Sequence, residues 1–186
     1  IMVDTYIKNG IIPCIKHLPG HGAAISDPHL GLPEITLSID ELESELIPFR
    51  SCNYSPLAMT AHILINSIDN QNPLTQSTLG IKKLIREKIR FDGFLVSDAI
   101  DMHALKGTLE EKANLSIKAG CDCINYSLGK TEELRDLGSM YYRTIAGIPA
   151  NTPIDKFAYQ LASQMYSEPV GLYYGEKYFG EEAKKD

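Results

Sequence analysis

"GFLVSD", residues 93–98, is a short apolar run that ends on a carboxylate. Its flanks decide how it is read. Upstream, Ile81, Leu84, Ile85 and Ile89 recur at helical spacing, with lysine and arginine on the other face. Downstream, residues 109–119 read as a helix that stops at Gly120, a residue suited to ending one. A buried strand between two amphipathic helices is the unit of a parallel α/β fold.

The same alternation runs along the chain. "IIPCIKH" (11–17), "PLAMTAH" (56–62) and "CDCINY" (121–126) are the other apolar runs. A helix begins at Ser38, where S-I-D-E makes a capping box with Glu41, and Leu42, Leu46 and Ile47 give it a buried stripe. Thr131 opens another helix, with Leu134, Leu137, Tyr141 and Ile145 facing one way. Four βα units in a row predict a parallel sheet covered by helices. The opening IMVDTYIKNG reads as the end of a helix stopped by Gly10, so the rhythm is entered midway, and four units are half of eight. Beyond Gly147 the pattern changes: Pro149 and Pro153 break it, Ile154, Phe157, Leu161 and Met165 predict one more helix, and 167–186 reads as a poorly specified tail.

Composition narrows the class. Hydrophobic residues make up 44% and charged residues 23%, ordinary values for a globular domain. A formal net charge of -6 argues against nucleic acid as a partner. No apolar run approaches the roughly 18 residues a membrane span needs, and the first ten residues lack the pattern of a signal peptide. The cysteines, Cys14, Cys52, Cys121 and Cys123, read as small buried hydrophobes in a reducing compartment.

Titratable residues gather at the ends of the apolar runs. Lys16 and His17 end the first, His62 the second and Asp98 the third. Carboxyl-terminal strand ends are where active sites form in parallel α/β folds. Asp98 taken alone fits a helix cap as well. After the first run, "KHLPGHGAAISDPH" (16–29) collects Lys16, His17, His21, Asp27 and His29 around turn residues. Asp27 precedes Pro28, which favours extended backbone, and residues two apart in extended chain share a side. Asp27 and His29 can therefore pair, a carboxylate raising and orienting an imidazole for proton transfer. Spacing alone leaves a solvated loop equally open. Three histidines and Asp27 could also ligate zinc, but Pro19-Gly20 breaks the helix that H-x-x-x-H needs, so no metal is expected. There is no G-x-S-x-G, G-x-G-x-x-G or Walker A pattern, and no cofactor is expected.

These blocks together are specific. "KHLPGHG" (16–22), four residues, then "DPH" (27–29) and "GLP" (31–33), resembles the signature of glycoside hydrolase family 3, in its β-N-acetylglucosaminidase branch. "MTAHI" (59–63), "LIREKIRFDGFLVSDAIDM" (84–102) and "AGCD" (119–122) follow in the family's order. The resemblance implies a (β/α)8 TIM barrel and a retaining mechanism. Asp98 would be the nucleophile, and His29, paired with Asp27, the acid/base. Lys16 and His17 would hold sugar hydroxyls, with His62 lining the pocket. It further implies a cytoplasmic enzyme cleaving terminal β-linked N-acetylglucosamine from muropeptides during peptidoglycan recycling.

Pro28 stands where the family usually has serine, and Ala23 and Ala24 where polar residues are common. The family's first four βα units, which supply a sugar-binding Asp and Arg, have no counterpart here. Residues 1–147 are therefore expected to be the C-terminal half of a barrel, and 148–186 a helix and tail. Such a half would self-associate, join a separate N-terminal half, or persist as an inactive remnant.

Overall fold

The computed structural model describes residues 1–24 and 31–128, with Lys130, Glu132, Glu133 and Leu137. The chain divides into two compact units, Ile1–Leu128 and Gly129–Asp186. Of the helix expected from Thr131 only Glu132, Glu133 and Leu137 are described, and they are helical; the helix expected over 154–165, the tail and the boundary at 147 lie outside the described residues, as do Asp27 and His29.

Within the first unit the order is α1 (Met2–Lys8), β1 (Cys14–Leu18), β2 (Glu34–Ile35), α2 (Leu42–Arg50), β3 (Leu57–Thr60) and β4 (Leu64–Ile65). A 3-10 turn (Leu74–Gln76) then leads into α3 (Thr78–Gly80), which runs on as π-helical turns over Ile81–Lys88. β5 (Phe94–Ala99), α4 (Leu109–Ala119) and β6 (Cys123–Asn125) complete it. β1, β3, β5 and β6 form one parallel sheet in that order. Each of the four expected apolar runs thus contains a strand. β2 and β4 pair in a separate parallel ladder that anchors the chain after the His-rich loop.

The sheet has one covered face. Ile15, Leu18, Ala58 and Leu95 lie within a cluster with Leu42, Leu46, Leu84, Ile85 and Ile89 from the helices. Burying each leucine or isoleucine among them contributes about 1.5–3 kcal/mol. The stripe of Ile81, Leu84, Ile85 and Ile89 is buried as expected, although its turns are π-helical. Ile47 departs from expectation: it is 56% exposed while Leu42 and Leu46 are buried. Leu42 and Leu46 are one helical turn apart, whereas five residues carry Ile47 about 140° around the axis. The Ser38–Glu41 box forms, with Glu41 accepting from the Ser38 backbone N–H at 2.8 Å, but it closes a turn just before α2.

Two details set the strand ends. α4 starts on a capping box between Thr108 and Glu111 and ends at Gly120, whose φ of 120° is disfavoured for other residues. At Gly93 a Cβ would come within 2.7 Å of the Pro56 carbonyl oxygen, so only glycine lets β5 start beside β3. Of the cysteines, Cys121 alone is fully buried; all four are free thiols, and burial pushes that of Cys121 up to about 12.

Candidate active site

The carboxyl ends of β1 and β5 bring the site together. Along β1 and β3 the partners are Ile15 with Ala58 and Leu18 with Thr60. Two residues, Lys16 and His17, therefore oppose the single Met59, which is a β-bulge. Regular alternation would send Lys16 and His17 to opposite faces. The bulge places both between two buried residues, Lys16 exposed and His17 half-buried. The Lys16–His17 and Leu18–Pro19 peptides are cis.

His17 reaches across to Asp98. Its Nε2 stands 3.7 Å from Oδ2 of Asp98, too long for a hydrogen bond but close enough for charge to act. Burial pushes the His17 imidazole below its ordinary range; the Asp98 charge opposes this, and Lys16 and His21 reinforce it. A neutral imidazole beside Asp98 is the result. His21 lies edge-on to His17 with ring centroids 5.8 Å apart, on the turn that Gly20 makes at φ 117°. The buried Nδ1 of His21 has no hydrogen-bond partner among the described residues.

Asp98 is held by its neighbours. Its Oδ1 accepts from the Ala99 backbone N–H at 2.8 Å, and its own N–H donates to Thr60 Oγ1 at 3.3 Å. Oδ2 faces His17 and the open side of the sheet. Asp101, three residues on, differs: both its oxygens accept from Ser127, from the backbone N–H and from the hydroxyl, each at 2.8 Å. Burial raises the Asp101 carboxyl, but the Ser127 bonds outweigh it and hold it below the usual range. Asp101 pins the loop after β5, and Asp98 is the carboxylate left to act.

His62 sits beneath the site, not in its wall. It is 2% exposed, with Nδ1 2.8 Å from Thr75 Oγ1 and Nε2 3.0 Å from the Ala99 carbonyl oxygen. The structure thus brings His17 and Asp98 together, with Lys16 adjacent and His62 behind. Sequence reading missed Thr60 and Thr75, buried hydroxyls that link His62 to Asp98. The available signal was the spacing in "MTAH", which puts a hydroxyl two positions before the histidine. Among the described residues no cluster of three metal-ligating side chains occurs, and no helix is long and apolar enough to cross a membrane.

A parallel sheet whose strand ends carry a carboxylate, an imidazole and a lysine defines the active-site end of a TIM-barrel-type α/β domain. The family follows directly. The glycosyl hydrolase family 3 N-terminal domain matches residues 1–141, and the chain belongs to that family. A β-hexosaminidase of Neisseria gonorrhoeae is 39% identical over 122 residues, covering 63% of this chain and 34% of that protein. The β-N-acetylglucosaminidase of Thermotoga maritima superposes with a TM-score of 0.63 at 32% identity, over 96% of this chain and 37% of that one. NagZ from Neisseria gonorrhoeae, in complex with N-trifluoroacetyl-D-glucosamine, gives a TM-score of 0.60 at 29% identity, over 96% and 50%. The chain spans about a third of the length of the curated relatives it matches, and its four parallel strands form a partial barrel.

Proposed function

We propose that this chain carries the catalytic end of a retaining β-N-acetylglucosaminidase. The carrying observation is Asp98, whose Oδ2 faces His17 at 3.7 Å where β5 ends. A β-hexosaminidase among the relatives and a glucosamine derivative bound to a structural neighbour support a terminal β-linked N-acetylglucosamine as substrate.

The chemistry takes two steps. Asp98 attacks the anomeric carbon, forming a carbon–oxygen bond as the glycosidic bond breaks. His29, starting as the imidazolium and oriented by Asp27, gives its proton to the leaving oxygen. The neutral His29 then takes a proton from water, the water oxygen bonds to the anomeric carbon, and the Asp98 carboxylate departs. Lys16 and His17 hold sugar hydroxyls beside Asp98. Muropeptides as the natural substrate, a cytoplasmic site of action and a role in peptidoglycan recycling belong to the same reading.

A second reading concerns completeness. Phe94 is 40% exposed on the face that carries Asp98, which favours a site finished by further strands. A second copy or a separate N-terminal half would supply them, as would strands elsewhere in the same protein; without such strands these residues would be an inactive remnant.

Turnover of 4-nitrophenyl N-acetyl-β-glucosaminide by the chain, beside Asp98→Asn and His29→Ala, separates the readings. Release of 4-nitrophenol that disappears in Asp98→Asn supports the enzyme. Release equal in all three, or absent from all, goes against activity of this chain by itself.

A further inference from the structure

Behind Asp98 lies a buried polar chain that the two-step chemistry does not use. His62, Thr60 and Thr75 are 2%, 0% and 0% exposed. Their proton arrangement can be worked out. A carbonyl only accepts, so Nε2 of His62 carries the hydrogen it donates to Ala99 O at 3.0 Å. Burial is the largest influence on this ring and pushes it toward the neutral form. The Ala99 carbonyl and Asp98 oppose that, while Lys112 and His17 add to it. A neutral ring leaves Nδ1 as an acceptor, and the Thr75 hydroxyl 2.8 Å away is its donor.

Thr75 has one hydrogen to give. Its oxygen must therefore accept from the Thr60 hydroxyl, also at 2.8 Å. Thr60 Oγ1 in turn accepts the backbone N–H of Asp98 at 3.3 Å. The run starts at the N–H of Asp98 and returns to the C=O of Ala99, so it holds the backbone at the peptide before Asp98 and at the peptide after Ala99. A cationic ring would reverse one link: Nδ1–H would donate to Thr75, whose hydrogen would turn to the Ala61 carbonyl at 2.9 Å.

We propose that His62, acting through Thr75 and Thr60, is a positioning residue for Asp98: it fixes the Asp98–Ala99 backbone and so aims the carboxylate at the reacting carbon. This rests on Asp98 being the nucleophile. His62 itself does not reach the sugar, because both ring nitrogens are engaged within the protein.

The test uses the full chain uniformly labelled with 15N, so that the histidine rings and the backbone amides are both visible, with Thr75→Val to delete the hydroxyl at constant shape and Thr75→Ser to keep it. Ring proton–nitrogen spectra of the wild type near pH 7 are expected to show His62 neutral with hydrogen on Nε2. A cationic ring, or hydrogen on Nδ1 alone, overturns the assignment without any variant. Thr75→Val is expected to move the Asp98 and Ala99 amide signals and speed their hydrogen exchange about tenfold, with Thr75→Ser within about twofold of wild type. Amides that stay put in Thr75→Val overturn the proposal. Where the wild type turns over substrate, Thr75→Val is expected to lower kcat about tenfold with KM within about twofold, and Thr75→Ser to restore it. A change in KM alone would instead place His62 among the sugar ligands. A wild type without turnover counts against the chain's activity, and the tautomer and amide signals then decide the positioning role by themselves.

Discussion

On one face of the four-stranded sheet Ile15, Leu18, Ala58 and Leu95 are each at most 9% exposed; on the other, Phe94 is 40% exposed, Lys16 is exposed and Asp98 is half-buried. The residues of the covered face are buried in one apolar cluster, so deleting atoms there costs stability. The open face carries the titratable groups and little packing. The two are joined through the backbone: Thr60 and Ser97 are buried on the covered side, yet Thr60 holds the N–H of Asp98 and Ser97 Oγ accepts from Asn125 N–H at 3.0 Å. Stability and chemistry therefore occupy separate faces of the same strands. Substitutions should separate them too.

The largest effect belongs to the open face and is on rate alone. In an assembly that turns over substrate, Asp98→Asn should lower kcat by about 10³-fold or more, because the amide cannot form the glycosyl-enzyme. Its unfolding midpoint in urea should stay within experimental scatter of wild type. A large fall in that midpoint would break the division between faces.

Next come the covered-face substitutions. Leu95→Ala removes a fully buried side chain between strand and helices and should cost about 2–5 kcal/mol in urea unfolding. Gly93→Ala should be destabilising as well, since its Cβ meets backbone oxygens of Ser55 and Pro56 that cannot swing aside. Its soluble yield and unfolding midpoint would both fall. If Gly93→Ala folds like wild type, β5 does not start as tightly against β3 as described.

A smaller effect comes from acid. Burial lowers both His62 and His17 from the ordinary value of about 6.5. The unfolded chain then binds protons that the folded chain refuses, so stability is fully present above about pH 6.5 and declines as pH falls toward the depressed folded values. Urea midpoints measured from pH 8 to pH 5 should show this decline. His62→Gln should flatten it, although the variant will be weaker overall for the loss of its buried hydrogen bonds. An unchanged slope in His62→Gln would mean that His17 or the carboxylates carry the acid response.

The legibility of these features in the sequence follows from how local their causes are. Asp98 could be read because a carboxylate closing an apolar run needs a polar outlet, and the strands could be read because a buried parallel strand is apolar on both sides. The pairing of Lys16 with His17 could not, because a bulge is set by the register between β1 and β3, which neither strand encodes alone. Thr60 and Thr75 were hidden for a similar reason: a threonine in a strand looks like any β-former, and its partner is fifteen residues on. The resemblance implies that His62 lines the pocket, and its hydrogen bonds to Thr75 and Ala99, set by tertiary contacts, hold it beneath the sheet end. The β2–β4 ladder has two residues on each strand, too few for any period to show. Ile47 was a matter of angle: apolar spacing alone did not say which residues stay on one helical face.

The smallest effect is the most informative about the open face. In an isolated chain Phe94→Ala removes a side chain that water already reaches in part, so the loss should be about 1–2 kcal/mol, the buried share of the transfer value and less than for Leu95→Ala. The same substitution would cost more if further strands close over that face, since the ring would then be part of a core. Unfolding of wild type and Phe94→Ala should therefore be compared across protein concentration. A difference that stays small at every concentration describes a face open to water. A difference that widens as concentration rises means that a second copy covers Phe94, and the site at Asp98 is then completed by association.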